Sequence, residues 1–121
     1  MPTALVIDDT LTDRQIFTLC LQRGGLDVIT ANSGEEALEK ITTSSPDVII
    51  LDVVLPEQSG FQVCRELKAN TQTSKIPVVL CSVKNSEMDK VWGMRQGADA
   101  YIPKPIDQEE LLNTVHQLIK R

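Results

Sequence analysis

The stretch VIILDV, residues 48–53, is five apolar side chains and one aspartate, with no alternation of apolar and polar positions. A strand with one wet face alternates, whereas a strand covered on both faces reads as a continuous apolar run. VIILDV therefore predicts an inner strand of a parallel sheet. VVLC (78–81) reads the same way, and ALVI (4–7), DVIT (27–30) and AYI (100–102) complete a set of five strand-length runs.

Segments of helical length with 3.6-residue spacing lie between these runs. Ile16, Leu19, Cys20 and Arg23 mark the inward face of the first, which ends at Gly24–Gly25. Ala37, Leu38 and Ile41 mark the second, opened by Ser33 with Glu36 three residues on, a capping-box pattern. Phe61, Cys64 and Leu67 mark the third. Met88, Val91, Trp92 and Arg95 mark the fourth, stopped near Gly97, and Leu111, Leu112, Val115, Leu118 and Ile119 mark the last, with Asp107 and Glu110 capping its start. Five strand–helix alternations predict right-handed βαβ crossovers and an α/β, doubly wound (βα)5 three-layer sandwich.

A chain of 121 residues has the size of one domain, expected over 1–121, and shows no repeat or linker. Net charge is −5, from 12 basic and 17 acidic residues, with no basic stripe. Nucleic acid is therefore excluded as a partner, because phosphate contacts drive that affinity. No apolar run approaches the ~20 residues that cross a bilayer, and no charged-then-apolar leader follows Met1. Cys20, Cys64 and Cys81 fall inside apolar segments without paired spacing, as reduced, buried thiols do. The expectation is a cytoplasmic protein.

The polar residues fall where the strands end. Asp8 and Asp9 follow the first run, Asp52 closes the third, Ser82 follows the fourth and Lys104 follows the fifth. The second run ends in ITAN with no comparable ionisable group, which suits an edge strand and the order 2-1-3-4-5. In open parallel sheets the carboxyl ends of the strands carry the ligand site. An adjacent Asp8–Asp9 pair read alone is also a solvated turn. Three carboxylates at one edge, however, must either hold protons or hold a cation. An all-oxygen donor set with no His or Cys suits Mg²⁺ before Ca²⁺. An Asp beside such an ion can act as a nucleophile toward phosphorus.

The ordered set DD at 8–9, LDVVLPEQSG around Asp52, Ser82, Tyr101 and KP at 104–105 resembles a response-regulator receiver domain of the stand-alone, CheY-like type. The resemblance covers essentially all of residues 3–120. The segment TSKIPVVLCSVKNSEMDKVWGMRQGADAYIPKP is also similar to the twitching-motility, PilH-like subgroup. The resemblance implies a flavodoxin-like fold and a phosphoacceptor regulator rather than an enzyme. Asp52 would accept a phosphoryl group from the phosphohistidine of a histidine kinase or phosphotransfer protein. Asp9 would ligate Mg²⁺ directly and Asp8 through water, with the Val54 backbone carbonyl supplying a further oxygen. Lys104 and Ser82 would contact the phosphoryl group, Tyr101 would follow Ser82 inward, and Pro105 would follow a cis bond. Output would pass through the surface of the fourth helix, fifth strand and fifth helix, where Trp92 is either a contact or ordinary packing. No output domain is expected after the fifth helix. His116, the sole histidine, reads as a surface residue without a role in transfer.

Three departures from the family pattern stand out. Val83 replaces the usual small residue after Ser82, and its bulk would narrow access to Asp52. Val54 and Lys84 occupy the positions that the family uses to tune phosphate lifetime, and the apolar Val54 with the bulky Val83 predicts slow dephosphorylation. Leu55 replaces the commoner Met before Pro56, a neutral change. A phosphatase with an Asp nucleophile would need a second acid two residues after Asp52, where Val54 stands. A flavin mononucleotide carrier would need a phosphate-cradling first loop, and DDTLTD repels anions. A degenerate receiver that only binds partners is disfavoured because every acceptor-site residue type is present.

Overall fold

The computed structural model describes residues 1–120; Arg121, the last residue of the expected domain, lies outside them. The described residues alternate strand and helix: β1 (Thr3–Ile7), α1 (Leu11–Arg23), β2 (Asp27–Ala31), α2 (Gly34–Ser44), β3 (Val48–Leu51), α3 (Gly60–Ala69), β4 (Val78–Ser82), α4 (Glu87–Arg95), β5 (Ala100–Pro103) and α5 (Gln108–Ile119). All pairings are parallel and the order is β2-β1-β3-β4-β5. This is the flavodoxin-like three-layer sandwich expected from the apolar runs.

The non-alternating strands are buried on both faces, and odd and even positions feed two cores. Leu5, Ile7, Ile49, Leu51, Val78 and Leu80 point to one side and meet Ala37 and Ile41 of α2 and Val63, Cys64 and Leu67 of α3. Ala4, Val6, Val48, Ile50, Val79 and Cys81 point to the other and meet Phe17, Cys20 and Leu21 of α1 and Leu111 and Val115 of α5. Each large aliphatic side chain so covered contributes about 1.5–3 kcal/mol. The thiols of Cys64 and Cys81 are pushed by burial up to about 11 and about 12, so both stay protonated.

Register carries the strand ends to one edge. Ile7 pairs with Leu51 and Ala31, Leu51 with Leu80, and Ser82 with Pro103. The VIILDV run leaves the strand at Leu51, so Asp52 begins the loop rather than closing the strand. At the start of α3, Gly60 lies flat against that loop. Its amide donates to the Val53 carbonyl at 2.8 Å, and a Cβ there would come within 2.0 Å of the Asp52 carbonyl oxygen. Only glycine allows this approach.

Two helix faces differ from the expected ones. In α1 the buried residues are Phe17, Cys20 and Leu21, while Ile16 and Leu19 are exposed. The true face is turned by one residue, because Phe17 carries the largest apolar area inward. In α4 only Gly93 is buried, and Met88, Val91 and Trp92 face solvent. A Cβ on Gly93 would lie 2.7 Å from Leu80 and 2.8 Å from the Tyr101 ring, so α4 packs through the absence of a side chain. His116 also departs from expectation. It is half-buried on α5, and its Nε2 lies 2.9 Å from the Gly24 carbonyl oxygen, tying α5 to the end of α1.

The N-caps at Ser33 and Asp107 form, but the capping box expected at Ser33 does not close, because Glu36 takes the amide before the cap instead. Ser33 Oγ accepts from Glu36 N at 3.1 Å, and Glu36 reaches back to Asn32 N at 2.6 Å. Asp107 Oδ1 accepts from Glu110 N at 3.1 Å. In α4, Ser86 and Asp89 form a full capping box.

Candidate functional site

Asp8, Asp9 and Asp52 converge at the carboxyl edge of the sheet, each offering a carboxylate oxygen within 4.8 Å of the others'. Backbone hydrogen bonds fix the two buried members. Asp8 N donates to the Ala31 carbonyl at 3.0 Å, extending the β1–β2 ladder, and Asp52 N donates to the Ile7 carbonyl at 3.0 Å. Arg14 then donates to the Asp8 carbonyl at 2.8 Å. Asp8 Oδ1 accepts from Thr10 N at 2.9 Å, and Asp52 Oδ1 accepts from Val54 N at 3.1 Å. In each, Oδ1 is turned to the chain's own backbone and Oδ2 faces the shared site. Asp9 is exposed at its rim.

Lys104 reaches these oxygens from the end of β5. Its Nζ lies 2.6 Å from Asp8 Oδ2, 3.0 Å from Asp52 Oδ2 and 2.9 Å from Asp13 Oδ2. The Phe17 ring backs the ammonium at 5.8 Å. Burial works against the charged ammonium, but the hydrogen bonds to Asp8, Asp13 and Asp52 outweigh it and hold Lys104 above the ordinary lysine range. Desolvation dominates at Asp8 and raises its carboxyl despite the hydrogen bonds from Lys104 and Thr10. The site is therefore a nest of acids neutralised in part by one lysine. A divalent cation fits this donor set, since hard oxygens converge and the single lysine leaves negative charge over.

Asp13 did not emerge from the sequence. It lies in the first turn of α1, where an acid is ordinary as a partner of the helix dipole, so its type carried no separate signal. Its position five residues after Asp8, in the first turn past the loop, is the only hint.

Ser82 and Tyr101 meet at a third residue. Ser82 is fully buried, and its Oγ accepts from Lys84 N at 3.2 Å. The Tyr101 hydroxyl donates to the Lys84 carbonyl oxygen in a short contact. The ring packs tilted against Phe61, with centroids 6.5 Å apart. Burial, then the charges of Asp89 and Asp52, push the phenol up to about 12. The Lys104–Pro105 peptide bond is cis, and Lys104 N donates to the Ser82 carbonyl at 3.0 Å. Val54 and Val83 both stand in solvent, Val83 with 70% of its surface exposed. Bulk at residue 83 thus lies in solvent rather than filling the site.

Among the described residues no helix is long and apolar enough to cross a membrane. Residues 4–116 match the family model described as the response regulator receiver domain. The chain is 39% identical to Protein PilH of Pseudomonas aeruginosa over 119 residues, which is 98% of both chains. A putative response regulator from Chloroflexus aurantiacus superposes with a TM-score of 0.95 at 33% identity, over 100% of each chain. Chemotaxis protein CheY4 of Vibrio cholerae gives a TM-score of 0.90 at 33% identity, over 98% of each. The site lies within the matched span on the strand ends that the fold prescribes, and the chain belongs to the response regulator receiver domain family of two-component signalling.

Proposed function

We propose that this receiver is the phosphoacceptor of a two-component relay, with Asp52 taking a phosphoryl group from the phosphohistidine of a kinase or phosphotransfer protein. The observation that carries the reading is the approach of Lys104 Nζ to within 3.0 Å of Asp52 Oδ2, beside two further carboxylates. In the transfer an Asp52 oxygen forms the O–P bond, the imidazole P–N bond breaks, and the imidazole leaves with the bonding pair and takes a proton. Lys104 is positioned to turn its donor from the Asp52 carboxylate to a phosphoryl oxygen. Ser82 supplies a hydroxyl from the neighbouring strand end. Asp9 and Asp52, the Val54 carbonyl, and Asp8 through water would hold Mg²⁺, which when bound supplies positive charge for the equatorial oxygens.

The chain regulates rather than turns over an external substrate, and the change it makes is a shift between two surface states. The solvent-facing Met88, Val91 and Trp92 on α4 support a protein-binding output face formed with β5 and α5. Similarity to PilH and to CheY4 supports motility or chemotaxis-type signalling. Incubation with a labelled histidine kinase tests the proposal. Label should reach the wild-type chain only when Mg²⁺ is present and should be absent from Asp52→Ala. Label on the alanine variant would overturn it.

A further inference from the structure

We propose that Asp13 is a positioning residue: it draws the Lys104 ammonium toward α1 and so keeps the space between Asp8 and Asp52 open to a divalent cation. The inference rests on the cation reading above. Lys104 has three N–H donors, and the structure commits them to three carboxylates, Asp8, Asp52 and Asp13. Two of these belong to the cluster that converges within 4.8 Å, so the ammonium and a divalent ion compete for Asp8 and Asp52. Asp13 stands outside that cluster. Its side chain is 33% exposed, against 1% for Asp8 and 8% for Asp52, so it faces the rim while they face inward.

The geometry sets the sign. The Lys104 side chain is only 9% exposed and is backed by Phe17, so the ammonium cannot retreat to water when a cation arrives. It must keep a partner that the cation does not need, and Asp13 is that partner. Without Asp13 the ammonium settles deeper between Asp8 and Asp52, and like charges then oppose cation entry.

The test is a Mg²⁺ titration of the full chain, followed by amide chemical shifts of Asp9 and Val54 in isotope-labelled protein. Asp13→Asn should bind Mg²⁺ roughly threefold to tenfold more weakly, the scale of coupling within one ion-pair network, and Asp13→Glu should recover most of the loss. The same Asp13→Asn change is then made in Lys104→Ala, or in Lys104→Gln should the alanine variant not fold. If Asp13 acts through Lys104, the Asn substitution has little effect in that background. An equal loss in both backgrounds means that Asp13 contributes charge alone, which overturns the inference. Unchanged affinity in Asp13→Asn overturns it as well. A wild-type chain that does not bind Mg²⁺ at all overturns the cation reading first, and this inference with it.

Discussion

Lys104 Nζ lies 3.0 Å from Asp52 Oδ2, although 52 residues and a whole strand separate them. Lys104 follows β5 and Asp52 follows β3, with β4 between, so the lysine stem must cross the end of β4 above Ser82. A long, flexible side chain with a compact charge at its tip suits that span. Among the described residues, the same crossing makes Lys104 the one cation that joins Asp52 to the acids after β1.

We predict that Lys104→Ala destabilises the chain in the absence of divalent cations. It leaves the buried Asp8 and Asp52 facing each other without a counterion, a change of about 3 kcal/mol for a broken buried pair. Urea unfolding in EDTA measures the loss, and Mg²⁺ should restore part of it. A variant as stable as wild type in EDTA would contradict the role assigned to the lysine.

Gly60→Ala should damage both fold and site. Its new Cβ would fall 2.0 Å from the Asp52 carbonyl oxygen and 2.7 Å from Val53 Cα, contacts with backbone that no rotamer relieves. The expected cost is about 3 kcal/mol, with slower phosphorylation because the acceptor loop shifts. Thermal unfolding and phosphotransfer assays report the two effects separately, and loss of stability with normal labelling would show the loop to be unaffected.

Acid unfolding should depend on two helix caps. The Glu36 carboxyl is held below its ordinary value of 4.5, first by the Asn32 amide, and Asp89 below 3.8, first by the Ser86 hydroxyl. A depressed carboxyl stabilises the fold above its unfolded value, and that contribution disappears as pH falls through the folded one. Asp8 works in the opposite sense: burial raises it above 3.8, so it favours the fold at low pH and loses that effect as pH rises. Glu36→Gln with Asp89→Asn should therefore lower stability at pH 7, where the ionised caps contribute, and flatten the decline below about pH 4.5, so that variant and wild type converge at low pH. An unaltered acid limb in urea titrations would rule the caps out.

Val83→Ala tests the expectation of slow dephosphorylation. Val83 is largely exposed next to Ser82, where it can shield the acceptor from attacking water. Removing its methyls should speed decay of the aspartyl phosphate a few-fold, the kinetic equivalent of roughly 1 kcal/mol. Identical decay curves for variant and wild type would remove Val83 from the account.

The sheet was readable because buried parallel strands leave runs such as VIILDV and VVLC, and the strand ends then placed Asp8, Asp52, Ser82 and Lys104 together. The helix faces were less readable. Ile16 and Leu19 mimic a core stripe on α1, and α4 packs through Gly93, which leaves no apolar signal of its own. His116 looked peripheral because its partner, the Gly24 carbonyl, is a backbone group that no sequence pattern announces. Asp13 was hidden for a related reason: its role depends on where Lys104 ends, across 91 residues.

Lys84 is gripped from both sides, its amide by Ser82 and its carbonyl by Tyr101. Under the proposed phosphorylation, a Ser82 hydroxyl that rotates to donate to a phosphoryl oxygen would shift its hold on the Lys84 amide, and with it the peptide that anchors the tyrosine. The two side chains share one peptide as a common pin, so a move of either would alter what holds the other. Under the proposed function, the strength of that grip would set how sharply the α4 face distinguishes a charged messenger from an idle one.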